Sequence, residues 1–149
     1  ETARLKPLAD KMREQDCVAV FLSAAIESEL AGMPVGEQGE FMKDLGIEEP
    51  AAHRLSRAAF DSLGLISFFT VGEDEVRAWP LRRGSTAIEA AGKIHTDLAR
   101  GFIRADVIAC DDLARAGSEK AARAANLFHL NGKTYEVKDG DVIEIRFNV

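Results

Sequence analysis

The chain has 149 residues, of which 46% are hydrophobic and 30% charged, and 19 basic and 25 acidic side chains give it a net charge of −6. The apolar fraction is large enough to form a core, so disorder of the whole chain is excluded, and the length fits one domain or one domain with part of another. An isoelectric point near 5.1 excludes nucleic-acid binding through bulk charge, so any such binding needs a local basic patch.

Neither a membrane span nor a secretory signal is predicted. The longest apolar stretch, residues 17–26, is interrupted by Ser23 and is far shorter than the roughly 20 residues that cross a bilayer. Cys17 and Cys110 lie in apolar surroundings far apart in the sequence, which favours two buried thiols in a reducing cytoplasm. The sequence starts with Glu1 instead of Met, so we expect a fragment or a processed product.

Residues 1–66 are predicted to be mostly helical and carry most of the negative charge. They hold 7 basic and 12 acidic side chains, against 12 and 13 in residues 67–149, so their net charges are −5 and −1. Apolar side chains recur at helical spacing in three places. These positions are Leu5, Leu8 and Met12, then Phe41 and Leu45, then Leu55, Ala58, Ala59 and Leu63.

One short strand is predicted between the first two helices. Residues 17–22 are apolar throughout, which is typical of a strand buried on both faces of a parallel sheet. Ser23-Ala24-Ala25 then opens the next helix. Because one strand cannot form a sheet alone, the segment indicates the end of an α/β layer whose other strands lie outside this sequence.

After Gly64 the apolar pattern changes to alternation. Residues 67–71 and 75–81 are predicted to form a hairpin around residues 72–74, and Pro80 limits the second strand to an edge or an end.

A single helix is predicted next. Thr86 and Glu89 have the spacing of a capping box, and Gly101 is placed to end the helix. The side chains expected to face inward are those of Ile88, Ala91, Ile94 or His95, and Leu98.

The remaining elements complete a sheet. Residues 102–109 are predicted to form a strand with Ile103, Ala105 and Val107 on one face and Arg104 and Asp106 on the other. A helical stretch over residues 111–125 follows, and then two strands, residues 134–137 and 142–147, with turns at 131–132 and 139–140. The order β-β-α-β-β-β is that of a β-grasp fold, so the class is α+β.

Several motifs resemble one family. Glu75-Val-Arg-Ala-Trp79, Gly101-Phe-Ile-Arg-Ala105 and Asp139-Gly-Asp-Val142 resemble the TGS domain of the YchF/Obg-like ATPases, and the stretch from Ser23 to Leu30 is similar to the end of their nucleotide-binding domain. That family joins a P-loop G domain to a ubiquitin-like TGS domain. The resemblance therefore implies a remnant of the nucleotide-binding domain in residues 1–65 and a TGS domain in residues 66–149.

The resemblance also implies a parent protein that binds and hydrolyses ATP or GTP with Mg²⁺. The sequence contains no G-x-x-x-x-G-K-[ST] run, so we expect this chain alone neither to bind nor to hydrolyse nucleotide appreciably. Ser23, Ala24 and Ala25 match the family's fifth nucleotide motif, whose backbone N–H groups approach the purine. Without the resemblance, the same residues are an ordinary N-cap.

Two interpretations of the basic residues near Trp79 remain open. Arginines beside an exposed aromatic ring can hold single-stranded nucleic acid. The pattern by itself rather favours Trp79 packed in the core, with the arginines in surface ion pairs. The resemblance implies a ribosome or structured RNA partner. The residues expected to contact it are Arg77, Trp79, Arg82, Arg83, Arg100 and Arg104.

The alternative function is protein docking without RNA contact. In that case the β-grasp domain docks on its own N-terminal G domain or on another protein. We do not expect a ubiquitin-like carrier, because the sequence ends on Arg146-Phe-Asn-Val149 and not on Gly-Gly.

No catalytic or metal site is predicted. His95 is expected to be a partly buried helix residue. Asp97 follows it by two positions, and residues at that spacing on a helix point to different sides, so the two are a poor pair of metal ligands. Neither Cys17 nor Cys110 has a neighbouring base or cation that would generate a thiolate.

Overall fold

The chain divides into two units between Ser62 and Leu63. The computed structural model describes residues 2–15, 17–72 and 75–148. Among these residues, no helix has the length and apolar character needed to cross a bilayer.

The first unit is helical. Its helices are α1 (Thr2–Arg13), α2 (Ala24–Gly32), α3 (Val35–Asp44) and α4 (Ala51–Ser62), which confirms the helices predicted from the apolar spacing. Side chains cap the helices across the unit: Glu27 Oε2 accepts from the backbone N–H of Ala51 at 3.0 Å, and Gln38 Nε2 donates to the carbonyl of Leu30 at 3.0 Å. These bonds satisfy helix-end groups that have no partner inside their own helix.

The predicted strand over residues 17–22 is wrong. The segment has no regular secondary structure, and Val18 and Leu22 are 56% and 49% exposed. No neighbouring strand of the described chain supplies hydrogen bonds to it, so its high β propensity has no ladder to join. Arg54 Nη1 donates to the carbonyl of Phe21 at 3.1 Å and holds the segment.

The two cysteine predictions also fail. Cys17 and Cys110 are both exposed free thiols and are not buried. Cys17 lies in the irregular segment just described, and Cys110 begins a short helix at the surface of the second unit.

The second unit is a sheet with helices on both faces. Its elements are β1 (Leu65–Val71), β2 (Val76–Arg82), α5 (Ala87–Ile94), α6 (Thr96–Arg100), β3 (Phe102–Ala109), α7 (Cys110–Ala116), α8 (Glu119–Ala124), β4 (His129–Asn131) and β5 (Asp141–Phe147). The strand order is β2-β1-β5-β3-β4, with β1 and β5 parallel and the other pairs antiparallel. This mixed sheet confirms the predicted α+β, β-grasp class.

The predicted hairpin forms, and β2 is an edge strand. Residues 65–71 pair with residues 76–82, while residues 73 and 74 of the predicted turn lie outside the described residues. The N–H of Gly72 bonds to the carbonyl of Glu75, and that of Arg83 to Gly64. The alternation between these bonds places Pro80 where its missing N–H faces the open edge, so no ladder bond is lost.

Each face of the sheet has its own core. On one face, Phe68, Ile66 and Ile143 pack with the alanines of α5, and Phe68 is 0% exposed. Burial of a phenylalanine of this kind stabilises the fold by about 2 kcal/mol. On the other face, Ile108 and Val142 pack against Ala122 of α8 and the partly buried Phe128.

The predicted single helix over residues 87–100 is two helices. Glu89 accepts hydrogen bonds from the N–H and the hydroxyl of Thr86, both at 2.7 Å, so the predicted start is confirmed. His95 interrupts the helix with extended dihedral angles, φ −161° and ψ 143°, and its side chain is 64% exposed and not partly buried. Its Nδ1 accepts from the backbone N–H of Asp97 at 3.2 Å. The same Nδ1 lies 3.5 Å from Asp97 Oδ2, so the expectation that the two side chains point to different sides is wrong.

Strand β3 has the predicted bounds but not the predicted faces throughout. An irregularity between Phe102 and Arg104 turns Ile103 outward, where it is 57% exposed. Asp106 lies on the face opposite Ala105 and Val107, as predicted, and it is 5% exposed because α8 covers that face. A bulge of this kind shifts the alternation by one residue.

Two further elements differ from the prediction. The stretch 111–125 is broken into α7 and α8 at Gly117, whose φ of +75° favours glycine. Residues 134–137 form one isolated bridge, Thr86 to Glu136, and no strand, whereas the unpredicted β4 pairs with β3. The turn at 139–140 is confirmed.

Candidate functional site

Ser23, Ala24 and Ala25 form the N-terminal end of α2. Ser23 is the N-cap residue, its Oγ accepts from the N–H of Ile26 at 3.5 Å, and all three residues are exposed. The first N–H groups of a helix have no partner within the helix. The geometry thus suits an ordinary cap and equally leaves backbone donors facing outward.

Trp79 is half-buried and is held by side chains on its own sheet face. Its ring stacks on Phe68, with centroids 6.4 Å apart, and its Nε1 donates to Thr70 Oγ1 at 3.0 Å. The guanidinium carbon of Arg77 lies 4.3 Å from the ring centroid, within the range of a cation–π contact. A base can stack on this ring only if Arg77 moves away. The group that this surface presents to a partner is therefore the Arg77 guanidinium and not the Trp79 ring.

Arg82 is the last residue of β2, and Arg83 is the first residue of the turn that follows. Arg82 is opposite Leu65, and the backbone of Arg83 is fixed by its N–H to the carbonyl of Gly64 at 2.8 Å. Both residues are exposed, and within the described parts of the chain neither makes an ion pair. Two adjacent cations with their charge unneutralised are available to an anionic partner.

Arg100 and Arg104 differ in their pairing. Arg100 Nη1 lies 3.4 Å from Asp97 Oδ1, so its charge is partly neutralised. Arg104 lies opposite Arg146 in the sheet, is exposed, and pairs with no carboxylate of residues 2–15, 17–72 and 75–148.

The six predicted contact residues do not form one patch. Arg77 and Trp79 face α5, whereas Arg82 and Arg104 belong to the opposite face of the sheet. The register places Arg82 and Arg104 at opposite ends of the strands, about 25 Å apart along the strand direction. Arg77 contacts Trp79, and Arg82 and Arg83 are neighbours in the sequence. RNA contact by these residues stays a prediction.

A charged network under α8 was not predicted. Arg123 Nη2 lies 2.8 Å from Glu119 and 2.6 Å from Glu144, and its Nη1 lies 3.6 Å from the buried Asp106. Arg146 joins it, 3.3 Å from Asp106 and 3.1 Å from Glu144. The hydrogen bond that Arg123 donates to Glu119 raises the pKa of Arg123, so its guanidinium stays protonated.

The alternation in the sequence contains part of this network. Asp106 and Glu144 fall on the same parity as the buried Ile108 and Val142, which would have identified two acids facing a core. The place of Arg123 depends on how α8 packs on the sheet, and no spacing in the sequence encodes that packing.

The His, Cys, Asp and Glu side chains of the described residues do not assemble a group of three that could hold a metal ion. His95 Nδ1 and Asp97 Oδ2 approach to 3.5 Å as an exposed pair. A structural metal site requires more ligands than that.

Comparison with known proteins identifies relatives over nearly the whole chain. Residues 65–148 match the YchF-GTPase_C family, described as a protein of unknown function (DUF933). The ribosome-binding ATPase YchF of Haemophilus influenzae is 48% identical over 147 residues, and Obg-like ATPase 1 of Gallus gallus is 38% identical over 145 residues. The structure of the Schizosaccharomyces pombe YchF GTPase is similar, with a TM-score of 0.81 at 31% identity.

These alignments cover little of the relatives' own length. They include 96% of this chain but 40% of the Haemophilus protein, 97% but 36% of the Gallus protein, and 95% but 38% of the Schizosaccharomyces chain. The part covered is the C-terminal portion of those proteins.

Proposed function

The chain belongs to the YchF family of Obg-like ATPases, and from that premise we propose that it is the ribosome-directed binding module of a nucleotide-hydrolysing parent protein. The observation that carries the proposal is the exposed pair Arg82 and Arg83, which has no neutralising carboxylate among the described residues. Ribosomal RNA presents a dense array of phosphates, and arginine binds phosphate through its planar fork of donors. A ribosome partner would place the protein in the cytoplasm.

In this proposal residues 66–149 are the TGS domain and residues 1–65 are the end of the nucleotide-binding domain. ATP or GTP with Mg²⁺ binds the parent through a P-loop that this sequence does not contain. The exposed backbone N–H groups of Ser23, Ala24 and Ala25 would contact only the edge of the purine base, not the phosphates.

We expect this chain by itself to bind neither ATP nor GTP measurably. A single helix N-terminus without the phosphate-binding loop supplies too few contacts to offset the entropy cost of association. Isothermal calorimetry with each nucleotide and Mg²⁺ measures this, and micromolar binding to the isolated chain would contradict the expectation.

Charge reversal tests the ribosome contact. In R82E/R83E we expect weaker co-sedimentation with ribosomes, because two attractive arginine–phosphate pairs are replaced by repulsive glutamate–phosphate pairs. The slope of log K against log salt should also become shallower by about 1.5, since two fewer phosphates are neutralised by the protein. Pelleting assays over a series of salt concentrations give both quantities.

The matched control is R4E/K6E, which makes the same charge change at two exposed positions of α1. Equal loss in the two variants would show that net charge, and not the arginine pair, governs binding. Pelleting of R82E/R83E like wild type at every salt concentration would exclude the pair as a contact. A pull-down with and without ribonuclease treatment distinguishes RNA contact from protein docking, because only partners bound through RNA are lost after the treatment.

A further inference from the structure

An open depression of about 310 Å³ lies on the face of the sheet covered by α8. Val71, Phe128 and Val142 form its apolar lining, and Glu119 and Glu144 contribute carboxylates. The volume is at the lower end of the range of ligand sites and is enough for one or two large side chains. This surface contains none of the arginines of the proposed ribosome contact.

The chain itself shows which chemistry this lining accepts. The guanidinium of Arg123 lies 4.2 Å from the ring centroid of Phe128 and contacts Glu119 and Glu144 at 2.8 and 2.6 Å. An aromatic ring and two carboxylates therefore already hold one cation from within the fold. Such a combination of cation–π contact and charge-assisted hydrogen bonds selects a guanidinium or an ammonium group.

Negative charge remains after the internal pairing. The network contains three carboxylates, of Asp106, Glu119 and Glu144, but two guanidinium groups, of Arg123 and Arg146. Asp106 Oδ1 is buried without a hydrogen-bond donor. Glu119 Oε2 and Glu144 Oε1 receive no hydrogen bond from the described residues, so each lining carboxylate keeps a free acceptor oxygen.

Apolar side chains continue the surface beyond the depression. Val71 and Val76 are register partners at the end of the hairpin, and they are 41% and 69% exposed. These two side chains can contact an uncharged side chain of a ligand whose cation binds the carboxylates of the depression. An apolar surface bordered by charge is typical of a protein contact.

We propose that this depression docks a basic segment of another protein that carries an apolar anchor. Its Arg or Lys side chain pairs with the free oxygens of Glu119 and Glu144, and its anchor packs on Val71 and Val76. The same carboxylates repel phosphate, so RNA is not the occupant. The proposal rests on contacts separate from Arg82 and Arg83 and stands whether or not they bind the ribosome.

The direct probe is a fluorescein-labelled peptide of alternating arginine and leucine, added to the intact chain. Binding is followed by fluorescence anisotropy and by amide shifts in ¹⁵N-labelled protein. We expect the largest shifts at Val71, Gly72 and Val142. Two comparison ligands are the peptide of alternating glutamate and leucine and a single-stranded oligouridine, and neither should produce these shifts.

Variants separate docking from folding. V71K places a positive charge, like that of the peptide, in the depression without replacing any member of the Arg123 network. We expect about tenfold weaker peptide binding, equivalent to 1.4 kcal/mol. E119Q/E144Q should weaken it at least as much. The control E136Q removes an equivalent exposed charge beside α5 and should change affinity less than about twofold.

The outcomes are decisive in either direction. Tighter binding of the basic peptide, shifts confined to the depression and loss in V71K support the proposal. Equal binding of the acidic peptide or of oligouridine, shifts elsewhere, or V71K binding like wild type would overturn it. Because V71K leaves the salt bridges in place, unfolding of E119Q/E144Q does not leave the proposal untested.

Discussion

Tyr135, the single tyrosine of the chain, fixes the loop that precedes β5. Its hydroxyl donates to Asp141 Oδ2 at 2.8 Å, and the same oxygen accepts from the N–H of Lys138 at 2.9 Å. Burial of the ring, then the hydrogen bond to Asp141 and the charge of Asp141, raise the pKa of Tyr135 to about 12 from 10.0. The neutral phenol is therefore the form that the fold favours.

We expect the phenolate absorbance of the folded chain to rise near pH 12, with no second tyrosine to obscure it. Tyr135 ionises near pH 10 in the unfolded state and near pH 12 in the folded state. The contribution of the neutral phenol to the free energy of unfolding should therefore be fully present below pH 10 and be lost as the pH rises from 10 to 12. In D141N the pKa should lie lower but above 10.0, because burial remains. A wild-type midpoint near pH 10 would contradict this contact.

At the scale of elements, the predictions succeeded where pattern and local chemistry agree. The hairpin, the start of α5 and the bounds of β3 follow from alternation, a capping pair and glycine positions. The predictions failed where the structure of a segment depends on pairing with a segment far away in the sequence. Residues 17–22 have strand composition but no strand to pair with, and β4 is three residues whose pairing with β3 no local signal reveals.

For the candidate site too, the sequence predicted local features but not those that depend on distant partners. The sequence identified exposed arginines such as Arg82, but it did not reveal that Arg77 covers Trp79 or that Arg104 lies on the other face and end. Those facts depend on strand register. The network of Arg123 and Asp106 joins helix to sheet across the sequence, and periodicity does not encode it.

Gly101 lies between α6 and β3 and packs against Asn148, the residue after β5, so its substitution tests that contact. A Cβ at this position would collide with the backbone carbonyl of Asn148, whose carbon lies 2.9 Å from it, while the N–H of Asn148 bonds to Gly101 O at 2.9 Å. We expect G101A to lose about 1 to 3 kcal/mol of unfolding free energy through this overpacking. Urea unfolding followed by Trp79 fluorescence measures the loss.

The matched control is G92A in the interior of α5. Its Cβ would meet the Ala99 Cβ at an ordinary 3.5 Å, and alanine favours the helix by about 0.5 to 1 kcal/mol over glycine. Equal stability effects in G92A and G101A would contradict the close approach of Asn148.

At the scale of the whole molecule, the two units differ in how much apolar surface they bury. Among the described residues, two buried hydrophobic side chains lie in the first unit and fourteen in the second. Because burial supplies the main favourable contribution to folding, the first unit has the smaller reserve of stability.

We therefore expect two separate unfolding transitions in urea. Trp79 is the single tryptophan and reports the second unit, whereas far-ultraviolet circular dichroism reports the helices of both. The helix signal should begin to fall at a lower urea concentration than the fluorescence changes. Coincident transitions would indicate one cooperative structure.

We propose that this chain binds ribosomes without nucleotide, through charge on its second unit. The most direct measurement is the fraction of wild-type chain that pellets with ribosomes in nucleotide-free buffer as salt is raised. We expect pelleting at low salt and progressive release as salt screens the phosphates. A folded chain that remains in the supernatant with ribosomes at every salt concentration would contradict it.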